Sequence, residues 1–184
     1  MKEVQPIRNK RDINKMKRAL SGRNKLLFVL GINLGLRISD LLSLKASDLY
    51  NANNRFKSHI ELIETKTKKR RKLTISDAVK KEIKDAGICG YSDDYLFPSR
   101  KGSKPIGRVQ AYRILNEAAD RAGLSEIGTH TLRKTFGYHA YKGGVDVATL
   151  QRIFNHSSEK ITLHYIGITQ DTIDEVYNTV SLSL

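Results

Sequence analysis

The chain has 184 residues, 33 Lys+Arg against 19 Asp+Glu, and a net charge of +14 at pH 7. That length suits one domain, or two small ones, with enough chain to bury a core. No apolar run is long enough to span a bilayer, no apolar segment follows the charged N-terminus, and the lone Cys89 excludes an internal disulfide or a multi-cysteine zinc site, so a cytoplasmic protein is expected. The charge is lopsided. Residues 1–75 hold 19 basic and 6 acidic side chains, whereas residues 76–184 hold 14 and 13. A one-sided cationic surface selects a polyanion, of which nucleic acid is the commonest.

In chain order, Ile13, Met16 and Leu20 fall at helical spacing in a lead-in helix within residues 1–22, ended by Ser21-Gly22. Lys25 to Leu34 is apolar enough for a buried helix stopped at Gly35, and Ser39 reads as the N-cap of a short helix carrying Leu41, Leu42 and Leu44. The period changes near residue 57. His59, Glu61 and Glu64 interleave with Ile60, Leu62 and Ile63, and Arg71 to Ser76 forms a second strand, with the cationic run 66–72 as the tip of a hairpin. Lys and Arg are not turn formers, which counts against this reading of the tip.

Helices then return. Asp77 reads as the cap of one ending at Gly87, and Tyr95-Leu96-Phe97-Pro98 as an extended piece. Val109 to Ala122 closes at Gly123, Thr129 to Lys142 at Gly143-Gly144, and Asp146 to Phe154 is followed by a segment through Ile161 to Tyr165. Ile173, Val176, Tyr177 and Val180 give a last amphipathic helix in an acidic tail spanning 166–184. The expected fold class is mainly α with a small antiparallel β-sheet, as one domain over residues 1–184.

Three clusters carry chemistry. His130 and Arg133 are i, i+3 and share a helix face, where a guanidinium fork and an imidazole make a receptor for phosphate. On their own they are better accounted for as a surface pair without special role. Arg37 interrupts an apolar stretch in Gly35-Leu36-Arg37-Ile38-Ser39-Asp40 and is either a ligand-binding cation or a structural partner of Asp40. Phe154-Asn155-His156-Ser157 precedes Tyr165, which is either a core tyrosine or a nucleophile whose pKa of ~10 calls for cationic neighbours or a base.

In this order the pieces resemble the catalytic domain of the tyrosine recombinases, the phage-integrase family, from about residue 5 to the C-terminus. The resemblance rests on Gly-Leu-Arg-Ile-Ser-Asp, a lysine in a β-hairpin, His-Thr-Leu-Arg, and Asn-His-Ser with a tyrosine nine residues after the histidine. It implies a catalytic set of Arg37, Lys66, His130, Arg133, His156 and the nucleophile Tyr165, with Asp40 orienting Arg37. Lys68, Lys69 and Lys72 compete with Lys66 for the hairpin role, and Lys68, Lys69, Arg70, Arg71 and Lys72 are expected to grip DNA.

The implied function is site-specific cleavage and rejoining of double-stranded DNA through a 3′-phosphotyrosyl link, without metal, ATP or other cofactor. His130 would accept the Tyr165 proton, Lys66 would protonate the departing 5′ oxygen, and His156 would bond a phosphate oxygen. A non-catalytic DNA-binding regulator and a type IB-like topoisomerase are the alternatives. The resemblance further implies a homo-oligomer, a tetrameric synapse on DNA built from chains that are monomeric when free, with no membrane partner. Family members carry a separate N-terminal domain that closes around DNA. This chain is expected to lack it, as a minimal recombinase, a fragment, or a chain whose clamp an accessory DNA-binding protein supplies. Asn155 stands where the family usually has glycine, and it tolerates the same left-handed backbone.

Overall fold

The computed structural model describes residues 4–100, 102–169, 175 and 179. The elements are α1 (Lys10–Arg18), α2 (Gly22–Leu34), α3 (Ile38–Leu42), α4 (Ala46–Leu49), β1 (His59–Ile63), β2 (Arg70–Thr74), α5 (Asp77–Asp85), α6 (Arg108–Ala122), α7 (Thr129–Lys142), α8 (Val147–Phe154) and α9 (Glu159–Tyr165). Among the described residues the two strands make the sheet, antiparallel, with His59 opposite Thr74 and Ile63 opposite Arg70. The architecture is the mainly helical one expected. The acidic tail helix through Ile173, Val176, Tyr177 and Val180 lies outside the described residues.

Three local expectations are corrected. Gly22 opens α2 instead of closing α1, with Ser21 as N-cap. Ser39 lies inside α3, whose N-cap is Arg37, and Asp77 is the first residue of α5, capped by the Ser76 hydroxyl accepting from Val79 N–H. In each case a small polar residue lies within two positions of the observed cap. Ser21 and Ser76 are themselves favoured N-cap residues, and the starts of α3 and α5 move by only one or two positions.

The helix stops follow their glycines. Gly35 and Gly123 adopt left-handed φ of 57° and 67° and terminate α2 and α6. Gly35 also lies under the Phe136 ring, so a side chain there would meet both strain and a ring. The principal core gathers α1 through α7 around Met16, Leu26, Leu27, Phe28, Phe97 and Leu115. A second apolar cluster, comprising Tyr138, Leu150, Phe154, Ile166 and Ile168, joins α7 to α8 and α9. The N-terminal segment is stitched on by Ile7 N–H donating to Thr135 Oγ1 at 2.9 Å and by the His139 ring bonded to Ile7 O at 2.9 Å.

Gly137 governs how closely the second cluster approaches α7. A Cβ at that position would stand 2.6 Å from Phe154 ring carbons and from Ile166 Cγ2, inside any normal contact distance. The missing side chain lets α8 and the end of α9 seat directly on α7. Gly137→Ala should therefore lower the unfolding free energy by about 1–3 kcal/mol, the usual cost of overpacking a dense core. Chemical denaturation followed by circular dichroism measures it, and an unchanged midpoint would show that Phe154 and Ile166 move aside freely.

Candidate active site

The site assembles around the C-terminal end of α8. The last carbonyls of a helix lack intrahelical partners and carry the negative end of its dipole. Here they are met by arginines from three separate segments. Arg133, on α7, donates from Nη2 to Phe154 O at 3.1 Å, and Arg37 donates from Nη2 to the same oxygen at 3.3 Å. Arg71, on β2, donates from Nη1 to Ile153 O at 3.2 Å. Two guanidiniums far apart in sequence are thus brought to one atom.

Arg133 is only 4% exposed. It also donates to Gly35 O, and its guanidinium carbon lies 4.5 Å from the Phe154 ring centroid, a favourable cation–π arrangement. Burial lowers its pKa to about 10, aided by the charges of Arg71 and Arg37 and opposed by Tyr165 and Glu64, so it remains a cation at neutral pH.

Asn155 follows Phe154 with φ 54°, ψ 49°, the left-handed turn expected of the residue in glycine's place. The turn swings His156 back over the cluster. Its ring lies 5.0 Å from the Tyr165 ring and 5.4 Å from the Phe154 ring, and its Nδ1 is hydrogen-bonded to Thr162 Oγ1 at 3.1 Å. Tyr165 closes α9 and packs edge-on against Phe154 at 5.5 Å, with Lys134 Nζ 5.4 Å from its ring centroid. Burial raises the Tyr165 pKa, while Arg133, Arg37 and a side-chain hydrogen bond from Arg133 pull it back down. Those guanidiniums therefore favour the phenolate that an attack on phosphorus requires.

His130 reaches the surface at the first turn of α7. Desolvation first, then the charges of Lys134, Arg133, Arg108 and Lys66, holds its pKa below 6.5. Burial, Arg133 and Arg37 do the same for His156. Both imidazoles are neutral at pH 7 and able to accept a proton. The imidazole seated against the Tyr165 ring is His156, which sequence reasoning gave only a phosphate-bonding role.

The hairpin tip is ordered without turn-forming residues at its centre. Lys68 N–H donates to Glu64 O at 2.9 Å, Glu64 N–H to Lys69 O at 3.0 Å, and Thr67 Oγ1 to Glu64 Oε2 at 2.6 Å. Lys68 takes a left-handed φ of 58°. Of the hairpin cations, all but Arg71 are exposed, and Lys66 lies near enough to His130 to depress its pKa. Lys69 reaches the opposite side and donates to Asn155 Oδ1 at 2.6 Å. Lys72 lies along β2 with Glu61 Oε1 at 3.8 Å.

Two expectations change here. Asp40 does not orient Arg37. It is 2% exposed and its Oδ1 accepts from Thr65 N–H at 2.9 Å, while its Oδ2 is buried without a hydrogen-bond partner. Arg37 is instead held by Glu64, Nη1 to Oε2 at 2.9 Å. Arg71 is not displayed for DNA either: its Nη1 pairs with Glu64 Oε1 at 2.9 Å and its side chain is 13% exposed, because the strand register turns it toward α8. Sequence reasoning missed Glu64, which reads as one more polar position alternating along a strand. The available signal was its place between an apolar strand and a cationic tip. Among the described residues, no three His, Cys, Asp or Glu side chains cluster as metal ligands, and no helix is long and apolar enough to cross a membrane.

The model of the phage integrase family matches residues 7–171, nearly the whole described chain. The chain belongs to the phage integrase family. The probable integrase/recombinase YoeC of Bacillus subtilis is 51% identical over 177 residues, covering 95% of each chain. Tyrosine recombinase XerA of Pyrococcus furiosus is 29% identical over 164 residues, and the alignment covers 87% of this chain but only 55% of that protein. The crystallised catalytic domain of bacteriophage HP1 integrase superposes with a TM-score of 0.59 at 23% identity, over 98% of this chain and 97% of that one, which establishes the fold. The matched region contains every residue just described, from Arg37 to Tyr165.

This phage-integrase chain should show its buried carboxylate in acid. Thr67, Arg71 and Arg37 overcome desolvation to hold the Glu64 pKa down to about 2, against 4.5 for a free glutamate. A depressed folded-state pKa means the stabilisation is complete above pH 4.5 and is lost as pH falls from there toward 2. The linked contribution is of order 3 kcal/mol at neutral pH. Urea unfolding across pH 2–6 should show this acid limb in the native protein and a flatter one in Glu64→Gln. Parallel limbs would mean that Glu64 titrates normally.

Proposed function

We propose that this chain is a site-specific DNA recombinase that cleaves and rejoins double-stranded DNA through a 3′-phosphotyrosyl intermediate. The observation that carries the reading is the shared carbonyl: Arg37 and Arg133 both donate to Phe154 O, while His156 and Tyr165 pack on the Phe154 ring. That arrangement supports a reading in which two fixed guanidiniums and a tyrosine flank one phosphodiester. The names borne by the relatives, integrase/recombinase and tyrosine recombinase, favour strand exchange over regulation or simple relaxation.

In this reading the Tyr165 phenolic oxygen attacks phosphorus and loses its proton to a neutral imidazole, His156 against its ring or His130 across the site. The bond from phosphorus to the 5′ oxygen breaks, and Lys66 supplies that oxygen with a proton. Arg37 and Arg133 neutralise the non-bridging oxygens as charge grows in the transition state. One phosphodiester is exchanged for another, so the bond energy is conserved and the reverse attack by a 5′-hydroxyl reseals the strand. Lys66, Lys68, Lys69, Arg70 and Lys72 draw in the duplex through its backbone phosphates. On DNA the active assembly is a tetramer of chains that are monomeric when free, a reading supported by family membership.

Incubation with nicked duplex in EDTA, followed by denaturation, should trap protein on a DNA 3′ end. Tyr165→Phe should abolish the adduct, and an adduct that persists in it would sink the nucleophile assignment. Arg37→Ala and Arg133→Ala should each slow adduct formation about a hundredfold or more. Non-specific binding should change only a few-fold, because one phosphate contact among many is lost. Wholesale loss of binding with unchanged cleavage per bound complex would make the arginines anchors only.

A further inference from the structure

Glu64 stands outside the reacting groups, yet each of its polar atoms is committed. It is 4% exposed, and its oxygens serve three side chains: Oε2 accepts from Arg37 Nη1 at 2.9 Å and Thr67 Oγ1 at 2.6 Å, and Oε1 accepts from Arg71 Nη1 at 2.9 Å. Its own N–H and C=O close the hairpin tip on Lys69 and Lys68. Arg37 arrives from the loop between α2 and α3, and Lys66 from the tip two positions beyond Glu64. Two cations delivered by independent segments thus share one anchor.

A carboxylate needed only to balance buried charge would be satisfied by Arg37 and Arg71. The Thr67 hydroxyl adds nothing to charge balance, but it clamps the tip to the same oxygen that holds Arg37. On the other flank the buried Asp40 fixes the tip through Thr65 N–H, next to Lys66. Lys66 is therefore bracketed by a held backbone on one side and a held side chain on the other.

We propose that Glu64 is a positioning residue of strand cleavage, setting the Lys66-bearing tip and Arg37 at one spacing matched to a single phosphodiester. The inference rests on the recombinase reading above. It predicts that removing Glu64 costs the proton delivered to the leaving 5′ oxygen as well as the grip of Arg37. A misplacement of about 1 Å in such a group can slow a reaction about a hundredfold.

A duplex with sulfur in place of the bridging 5′ oxygen separates the two contributions, because a thiolate leaves without needing a proton. Single-turnover adduct formation would be measured on oxygen and sulfur substrates for the native chain, Glu64→Gln, Thr67→Val and Lys66→Ala, and for Glu64→Gln combined with Lys66→Ala. On the oxygen substrate Glu64→Gln should slow cleavage by about ten- to a hundredfold with DNA affinity within a few-fold. Thr67→Val, which leaves both ion pairs in place, should slow it less. Both variants should recover on sulfur, Thr67→Val almost wholly and Glu64→Gln except for its Arg37 share. In the double variant the two losses should overlap instead of multiplying.

Equal losses on both substrates, multiplying with that of Lys66→Ala, would overturn the proposal and leave Glu64 a charge-balancing residue. If Glu64→Gln does not fold, Thr67→Val alone decides by the same comparison. A native chain that forms no Tyr165-dependent adduct on either substrate would instead overturn the recombinase reading, so the two failures are told apart.

Discussion

The carbonyl of Phe154 is the point on which the site hangs. It ends α8, where a helix presents its negative pole, and it receives one guanidinium from α7 and another from the α2–α3 loop. Burying Arg133 without a carboxylate in direct contact would ordinarily be prohibitive. Here the cost is offset by two backbone carbonyls that need donors and by the face of the Phe154 ring. The same residue supports Tyr165 and His156 through its ring. Phe154 thus joins a hydrophobic task, closing the second core cluster, to an electrostatic one. The glycine that admits its ring to α7 therefore also sets where the carbonyl and ring that hold the candidate site groups lie.

Charge is distributed in two tiers around this centre. Arg37, Arg71 and Glu64 form an inner group whose net charge is far smaller than its number of ionised groups, and this tolerates burial. Lys66, Lys68 and Arg70 form an outer group that stays hydrated. Neutral imidazoles adjoin both, kept uncharged by burial first and by the neighbouring cations second. In the proposed reaction a phosphate would pass from hydrated cations to partly buried ones, where fixed donors act most strongly on a developing charge.

Much of this was legible in the chain itself. The stops at Gly35, Gly123 and Gly143 are local backbone facts, and the spans of α2, α6, α7 and α8 follow from them within a few residues. The order of Arg37, the hairpin lysines, His130-Arg133 and His156-Tyr165 marks the candidate site because each lies in a short motif. Partnership did not follow. Arg37 has Asp40 three positions away and Glu64 twenty-seven away, and local spacing favours the former. The register of β1 and β2 decides otherwise by turning Glu64 inward, and register depends on contacts with α8 that no window of sequence contains. Arg71 was misjudged for the same reason: within a run of six cations in seven residues, only the strand's alternation tells which one faces the protein.

The pinning of the arginines has an entropic side. A long side chain forfeits up to about 2 kcal/mol of rotamer freedom when it is fixed. Arg37 and Arg133 forfeit theirs on folding, each tied at two points before any DNA arrives. Exposed Lys66, Lys68 and Arg70 keep theirs until they meet a backbone. The loose cations can therefore gather DNA of any sequence at modest gain per contact. In the proposed reaction the rigid pair would accept a phosphate only where the duplex path already fits, acting as a gauge of position rather than a reservoir of attraction.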